Sequence, residues 1–247
     1  MRVEPLLTGR LGRPYLWRAT CASTQALLDD PALPEGAVAV AEAQTQGRGR
    51  LGRTWEAPAG AALLCSVLLR PPAGRRLGEL SLVGGLATAR AVDHVARVRS
   101  GIKWPNDVLL DGAKVAGVLA EGRNGAVVLG IGVNVGQAAA DLPADARTRP
   151  GSLLTATGLE HDRASVLARL LVELEAGYET WLADGLEPLV PELAARDVLL
   201  GVEVQLGDAV GRAAGIAPDG RLILLVGSET RLVESGEVSV RAPAAPA

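Results

Sequence analysis

VLLDGAKVAGVLAEGRNGAVVLGIGVN, residues 108–134, contains three apolar runs separated by Asp111-Gly112 and Asn124-Gly125. Asp-Gly and Asn-Gly pairs accept the positive backbone φ of the tight turns that join antiparallel strands. The runs at 108–110, 114–121 and 126–134 are therefore expected to be successive strands of a mostly antiparallel sheet. Just upstream, Pro105 disfavours the helical region for Trp104 and has no N–H for a ladder, so the segment 103–107 should hold a fixed turn or a strand irregularity.

Working outward, residues 61–69 form an apolar run closed by Pro71 and Pro72, which reads as a buried strand, and residues 37–41 read as another. Between them lies a loop, residues 44–53, rich in glycine and arginine. Ser23 or Thr24 can cap a helix start at 23–28. Leu82, Leu86, Ala89, Val92 and Val95 recur at helical spacing despite Gly84 and Gly85. The clearest amphipathic helix is 163–182, where Val166, Leu167, Leu170, Leu171, Leu174, Tyr178 and Trp181 share one face. The pattern predicts an α+β fold, a mostly antiparallel sheet with packed helices. Near Pro188 and Pro191 the character changes. Short alternating pieces after Val202, divided by Gly207-Asp208, Pro218-Asp219-Gly220 and Ser235-Gly236, predict a small β-barrel of roughly 45 residues packed on the larger unit. The expected division is 1–190 and 191–247, with the terminal APAAPA a frayed tail.

The chain has 247 residues, 48% of them hydrophobic, enough for a substantial core. A net charge of −3 and a pI near 5.5 oppose a surface that attracts nucleic acid as a whole. Cys21 and Cys65 are too few to staple such a chain, and neither has an identifiable histidine partner for thiol catalysis. His94 and His161 lack a supporting ligand pattern for zinc. No secretory signal and no long charge-free apolar run is evident, so the cytoplasm is the expected compartment and no membrane association is expected. Only Lys103 and Lys114 are lysines; arginine fills every other basic position. Where arginine is the default cation, a remaining lysine is a candidate for a site that needs a compact ammonium.

Gly47-Arg48-Gly49-Arg50-Leu51-Gly52-Arg53 sets three arginines among three glycines. Glycines permit turns that converge backbone N–H groups on an anion, and arginines supply forked donors to phosphate. A solvated basic loop or a nucleic-acid contact is the alternative, and the spacing is not that of a P-loop. Trp55 can stack on a flat ligand or serve the core. Gln44 and Gln46 suit a urea-like group or a plain surface. Lys103 can neutralise a carboxylate and an α-phosphate as they approach, while Asp107 can take Mg²⁺ or hold a basic neighbour. Lys114 can project from a strand end toward the same place, or discourage edge pairing. Asn134 can read a heterocycle edge with its paired donor and acceptor.

The motifs 41–55 (AEAQTQGRGRLGRTW), 103–107 (KWPND), 114–121 (KVAGVLAE) and 130–135 (GIGVNV) stand in the order found in biotin protein ligases, the biotin–[acetyl-CoA-carboxylase] ligases. The chain resembles that family over about residues 15–240. The resemblance implies a catalytic domain similar to class II aminoacyl-tRNA synthetases, followed by an SH3-like barrel. It implies biotin and ATP as substrates, Mg²⁺, a biotinyl-5′-adenylate intermediate, and a lysine of a biotin carboxyl carrier protein as acceptor. By position, Lys103, Arg48 and Arg50 match the catalytic cations. Ser23, Thr24, Gln44, Arg48, Gly117, Gly132 and Lys103 match the biotin site. Arg50, Arg53, Trp55, Asn134 and Lys114 match the adenylate side, with Asp107 as the Mg²⁺ candidate. Gln25 stands where the family often has asparagine, and Leu51 where a basic residue is frequent. Few residues precede Ser23, so the expectation is a form without the DNA-binding domain of the regulatory members; a homodimer is compatible with the sequence. The alternatives are a lipoate ligase-like acyltransferase of the same fold and a noncatalytic RNA- or protein-binding module.

Overall fold

The computed structural model describes residues 6–123, 125–144, 146, 148–236 and 238–240. Seven strands form the larger sheet: β1 (Tyr15–Cys21), β2 (Val38–Gln44), β3 (Ala62–Leu69), β4 (Gly101–Lys103), β5 (Asp107–Leu110), β6 (Ala113–Arg123) and β7 (Ala126–Asn134). Their order is β1-β2-β3-β7-β6-β5-β4. Every neighbouring pair is antiparallel except β1 and β2, which run parallel. The strands expected at 37–41, 61–69 and through 108–134 all form. Asp111 and Gly112 both take positive φ at the β5–β6 turn, as that dipeptide suggested. At the next turn Gly125 also has positive φ, while Asn124 lies outside the described residues.

Alternation along β7 and β3 divides the sheet's two faces. Val127, Leu129, Ile131 and Val133 of β7, with Leu63, Cys65, Val67 and Leu69 of β3, enter the main core. That face is covered by α1 (Leu77–Ala96) and α3 (Arg163–Asp184). Gly84 within α1 is explained by this packing. A Cβ there would lie 3.0 Å from both Leu129 and Val118, so glycine lets the helix rest directly on β6 and β7. Asp162 caps α3 by accepting from the N–H groups of Ala164 and Ser165 at 3.2 and 3.0 Å. On the opposite face, Ala126 and Val128 join Leu28, Ala37, Ala39 and Leu68 in a smaller cluster. No helix starts at Ser23. A single 3₁₀ turn, Ala26–Leu28, forms instead and is followed by Asp30-Pro31, a pair that opposes helical continuation.

Two short helices, α2 (Leu153–Thr157) and α4 (Val190–Arg196), flank α3 in sequence. Beyond them come β8 (Glu203–Leu206), β9 (Ala209–Ile216), β10 (Leu222–Val226), β11 (Glu229–Val233) and β12 (Val238–Val240). They make an antiparallel sheet ordered β11-β10-β9-β8-β12. The expected SH3-like barrel is therefore corrected: this sheet is not closed. Among the described residues β11 pairs with β10 alone and β12 with β8 alone. Closure would require a ladder between those two edges. Instead β12 is only three residues long, and β11 is almost wholly exposed with a Glu229–Arg231 ion pair along it, a polar edge facing water. The expected packing on the larger unit does occur. Val204, Ala213, Ile216, Leu222 and Leu224 belong to the same core as α1 and α3, and the Trp104 indole N–H donates to the Gly220 carbonyl at 2.9 Å. Among the described residues no helix is long and apolar enough to cross a membrane. The terminal APAAPA lies outside the described residues.

Candidate functional site

The face of the larger sheet not covered by α1 and α3 opens into a cavity of about 510 Å³, within the range of small-molecule sites. Its floor is set by side-chain parity: Gly130, Gly132 and Asn134 of β7 and Leu64 and Ser66 of β3 line it. Gly117 of β6 is the register partner of Gly132. Two facing glycines leave backbone as the floor. A Cβ on Gly132 would stand 2.5 Å from the Trp55 indole, and one on Gly117 would stand 3.0 Å from it. The ring thus lies on the glycine pair, with its indole N–H buried and unpartnered among the described residues.

One end of the cavity is neutral and polar. Thr24 donates its backbone N–H to Gln44 Oε1 at 2.6 Å, and its hydroxyl lies 3.1 Å from that oxygen and 2.8 Å from Ser66 Oγ. Ser23, Thr24, Gln25 and Ser66 are all buried. Gln25 packs against Gly130 and donates weakly to the Leu119 carbonyl at 3.5 Å. Ser66, the polar residue in the middle of the apolar run 62–69, was not singled out from sequence. Its position on the even side of that strand was the available signal.

Cations flank the middle. Loop residues Arg48, Arg50 and Arg53 line the cavity with Lys103 and Lys114. Gly49 N–H and Trp55 N–H bond to the Arg53 and Gly47 carbonyls at 2.7 and 3.0 Å, closing the loop like a hairpin. Gly47 is required there, since a Cβ would lie 2.2 Å from the Trp55 carbonyl oxygen. The loop brings its three guanidinium groups to the cavity. Arg48 reaches Glu121 at 3.4 Å. Arg50 donates to Asn106 Oδ1 at 3.1 Å, and Asn106 Nδ2 donates to the Val118 carbonyl at 2.9 Å, tying loop to sheet. Lys103 donates to Thr148 Oγ1 at 2.9 Å from the end of β4, where the chain turns through a cis Trp104-Pro105 bond.

Lys114 Nζ lies 2.7 Å from Asp107 Oδ1 and 5.5 Å from the centroid of the Trp55 ring. Asp107 thus holds a basic neighbour, the second of its two sequence readings. Among the described residues no group of three or more His, Cys, Asp or Glu can hold a metal ion. Three carboxylates line the cavity, Glu56, Asp107 and Asp141, and of these Asp107 is paired with Lys114. At the far end Asn134 donates to the Gly151 carbonyl at 2.9 Å and accepts from Gln137 Nε2 at 2.8 Å. Gln137 and Thr148 also line the cavity, and nothing in their sequence context marked them.

His94 is exposed on α1 and His161 contacts Thr157 at 2.8 Å; neither lines the cavity. Both cysteines are free thiols. Burial pushes Cys65 up to about 12 and also raises Cys21, which keeps both as poorly nucleophilic thiols.

An α+β sheet with a backbone-floored cavity, neutral at one end and cationic along its middle, defines a protein that holds a small molecule beside an anion. Residues 18–137 match the model of the Biotin/lipoate A/B protein ligase family, and residues 200–241 match the Biotin protein ligase C terminal domain. The biotin–[acetyl-CoA-carboxylase] ligase of Mycobacterium tuberculosis is 41% identical over 214 residues, covering 83% of this chain and 79% of that protein. The bifunctional ligase/repressor BirA of Bacillus subtilis is 30% identical over 250 residues, covering 95% of this chain and 76% of that protein. The solved structure of the Aquifex aeolicus biotin protein ligase in complex with biotin and ATP superposes with a TM-score of 0.84 at 32% identity, covering 92% of this chain and 97% of that one. The chain belongs to the biotin protein ligase family.

Proposed function

We propose that the chain activates biotin with ATP and passes it to a lysine of a biotin carboxyl carrier protein. The observation that carries this reading is the cavity's ordering: a neutral polar end, a run of cations and a second amide-lined end along one glycine floor. The relative from Aquifex aeolicus binds both biotin and ATP in a fold of the same kind. The neutral end, with Ser23, Thr24, Gln44 and the small floor residues Gly117 and Gly132, suits the ureido ring, which offers both donors and an acceptor. On this reading Lys103, Arg48 and Arg50, which line the cavity, face the carboxylate and the triphosphate. Their charge offsets the repulsion as a biotin carboxylate oxygen attacks the α-phosphorus and pyrophosphate leaves. Arg53, Lys114, Trp55 and Asn134 belong on this reading to the adenylate side. In the second step the neutral ε-amine of the carrier lysine attacks the acyl carbon, AMP departs, and the amine loses its proton.

Magnesium enters with the triphosphate on this reading, since Mg²⁺ is commonly held by substrate phosphates and water with few protein carboxylates. Residues 1–190 form the catalytic unit, and residues 191–247 a terminal unit whose described part is the open sheet. Neither cysteine is positioned as an acyl-carrying nucleophile, which sets the lipoate-type acyltransferase second. The test is to incubate the chain with biotin, MgATP and a biotin carrier domain. Pyrophosphate release and a biotin-sized mass gain on the carrier are expected, with no gain when lipoate replaces biotin. Binding of carrier without either product would leave only the noncatalytic module.

A further inference from the structure

We infer that Gln137 selects the base of the nucleotide, its side-chain oxygen accepting an N–H from the exocyclic amine of adenine. The inference deepens the ligase reading and rests on ATP being the substrate. A chain of hydrogen bonds fixes the orientation of this amide. The Gly151 carbonyl can only accept, so the Asn134 group facing it at 2.9 Å is the amine. Asn134 therefore turns its oxygen to Gln137, and the Gln137 group meeting it at 2.8 Å must be the amine. What remains of Gln137 is the carbonyl oxygen, an acceptor by elimination.

That oxygen is buried and has no partner among the described residues, in a side chain only 1% exposed. A buried acceptor without a donor is costly, and native structures seldom leave one unless a ligand or water completes it. Gln137 lines the cavity and is hydrogen-bonded to Asn134, at the opposite end of β7's cavity-lining run from Gly130, the register partner of Ser66; Asp141, Leu142 and Thr148 line the same cavity. The backbone beneath it is also anchored, because the Gln137 carbonyl accepts from Ser152 Oγ at 2.7 Å. A fixed acceptor at the end of a glycine-floored slot recognises a flat heterocycle that carries an outward amine. Adenine has one at C6. Guanine and hypoxanthine present a carbonyl oxygen there, and acceptor would face acceptor.

The test compares ATP with purine riboside 5′-triphosphate, which lacks only the 6-amino group, in biotin-dependent pyrophosphate release. The wild-type protein should lose about tenfold in kcat/KM when the amine is removed, the ordinary consequence of one lost hydrogen bond at a site built to receive it. Gln137→Met should lower the ATP value and leave the analogue nearly unchanged, bringing the ratio close to one. Equal use of the two nucleotides by the wild type overturns the assignment without reference to any variant. A variant that loses both activities in parallel, keeping the wild-type ratio, overturns it too and reduces Gln137 to a support for Asn134. Absence of pyrophosphate release from the wild type with either nucleotide would instead remove the ligase reading itself, and this inference with it.

Discussion

Lys103 is the side chain on which the proposed activation step leans most. Its ammonium ends β4, is steadied by Thr148 and faces the cavity beside three arginines. Lys103→Ala should lower biotin-dependent pyrophosphate release about a hundredfold, roughly 3 kcal/mol of transition-state stabilisation, with an unchanged circular-dichroism spectrum. Release at the wild-type rate by the folded variant would remove Lys103 from the chemistry. Glu42 makes a separate prediction about acid. Burial would push its carboxyl up, but donation from the Trp17 indole at 3.0 Å and the ion pair with Arg163 at 2.7 Å are among the contacts that together hold it down, from an ordinary 4.5 to about 2. A depressed acid stabilises the fold above its unfolded value and loses that contribution as pH falls from about 4.5 through 2. The urea midpoint of the wild type should therefore exceed that of Glu42→Gln at pH 7, with the gap shrinking steadily below pH 4.5. A gap that stays constant down to pH 2.5 would contradict the assignment.

At the scale of elements, β7 shows what can be read from a strand and what cannot. Alternation in the run 126–134 already separates Val127, Leu129, Ile131 and Val133 from Gly130, Gly132 and Asn134, and the structure buries the first set and opens the second to the cavity. The candidates Arg48, Arg50, Arg53, Trp55, Lys103, Lys114, Gly117, Gly132 and Asn134, with Ser23, Thr24 and Gln44, all line that one cavity. Their convergence could be expected because each lay in a recognisable motif. Thr148 and Gln137 were invisible, since their roles come from wall segments folded over the cavity and not from local pattern. β1 was missed for a related reason: its exposed, arginine-bearing run has little apolar alternation, and its parallel pairing with β2 depends on partners far along the chain. The glycine floor carries the prediction at this scale. Gly132→Val puts a branched side chain where Trp55 now lies, so biotin binding measured calorimetrically should fall at least tenfold while the melting temperature changes little. Undiminished binding would show that the ligand does not use this floor.

The main core runs across the expected boundary near residue 190. Arg196 on α4 is nearly buried and pairs with Asp93 of α1 at 2.7 Å and Glu192 at 3.1 Å, while also donating to the Ser100 carbonyl. Arg196→Ala should leave the half-buried Asp93 with a smaller set of partners and cost about 2 kcal/mol, seen in chemical unfolding as one cooperative transition moved to lower denaturant. A separate early transition, confined to the terminal sheet, would show that the two parts are not coupled in this way. The sequence indicated a second unit and its packing, but not its form. Short alternating strands are compatible with a closed barrel or an open sheet, and the decision falls to edge strands whose pairing no local pattern encodes.

The scarcity of lysine has a consequence for the enzyme's own chemical durability. An acyl-adenylate is an electrophile that any neutral primary amine can intercept, whereas arginine stays protonated at working pH and does not compete. Both lysines of this chain sit in the cavity wall, Lys114 held by Asp107 and Lys103 by Thr148, and every other basic side chain is arginine. Outside the cavity the protein therefore offers no side-chain amine on which its reactive product can be wasted. Prolonged incubation with biotin and MgATP but no carrier, followed by peptide mass mapping, should find no lysine self-acylation except at those two positions, while a lysine-rich bystander in the same tube becomes labelled.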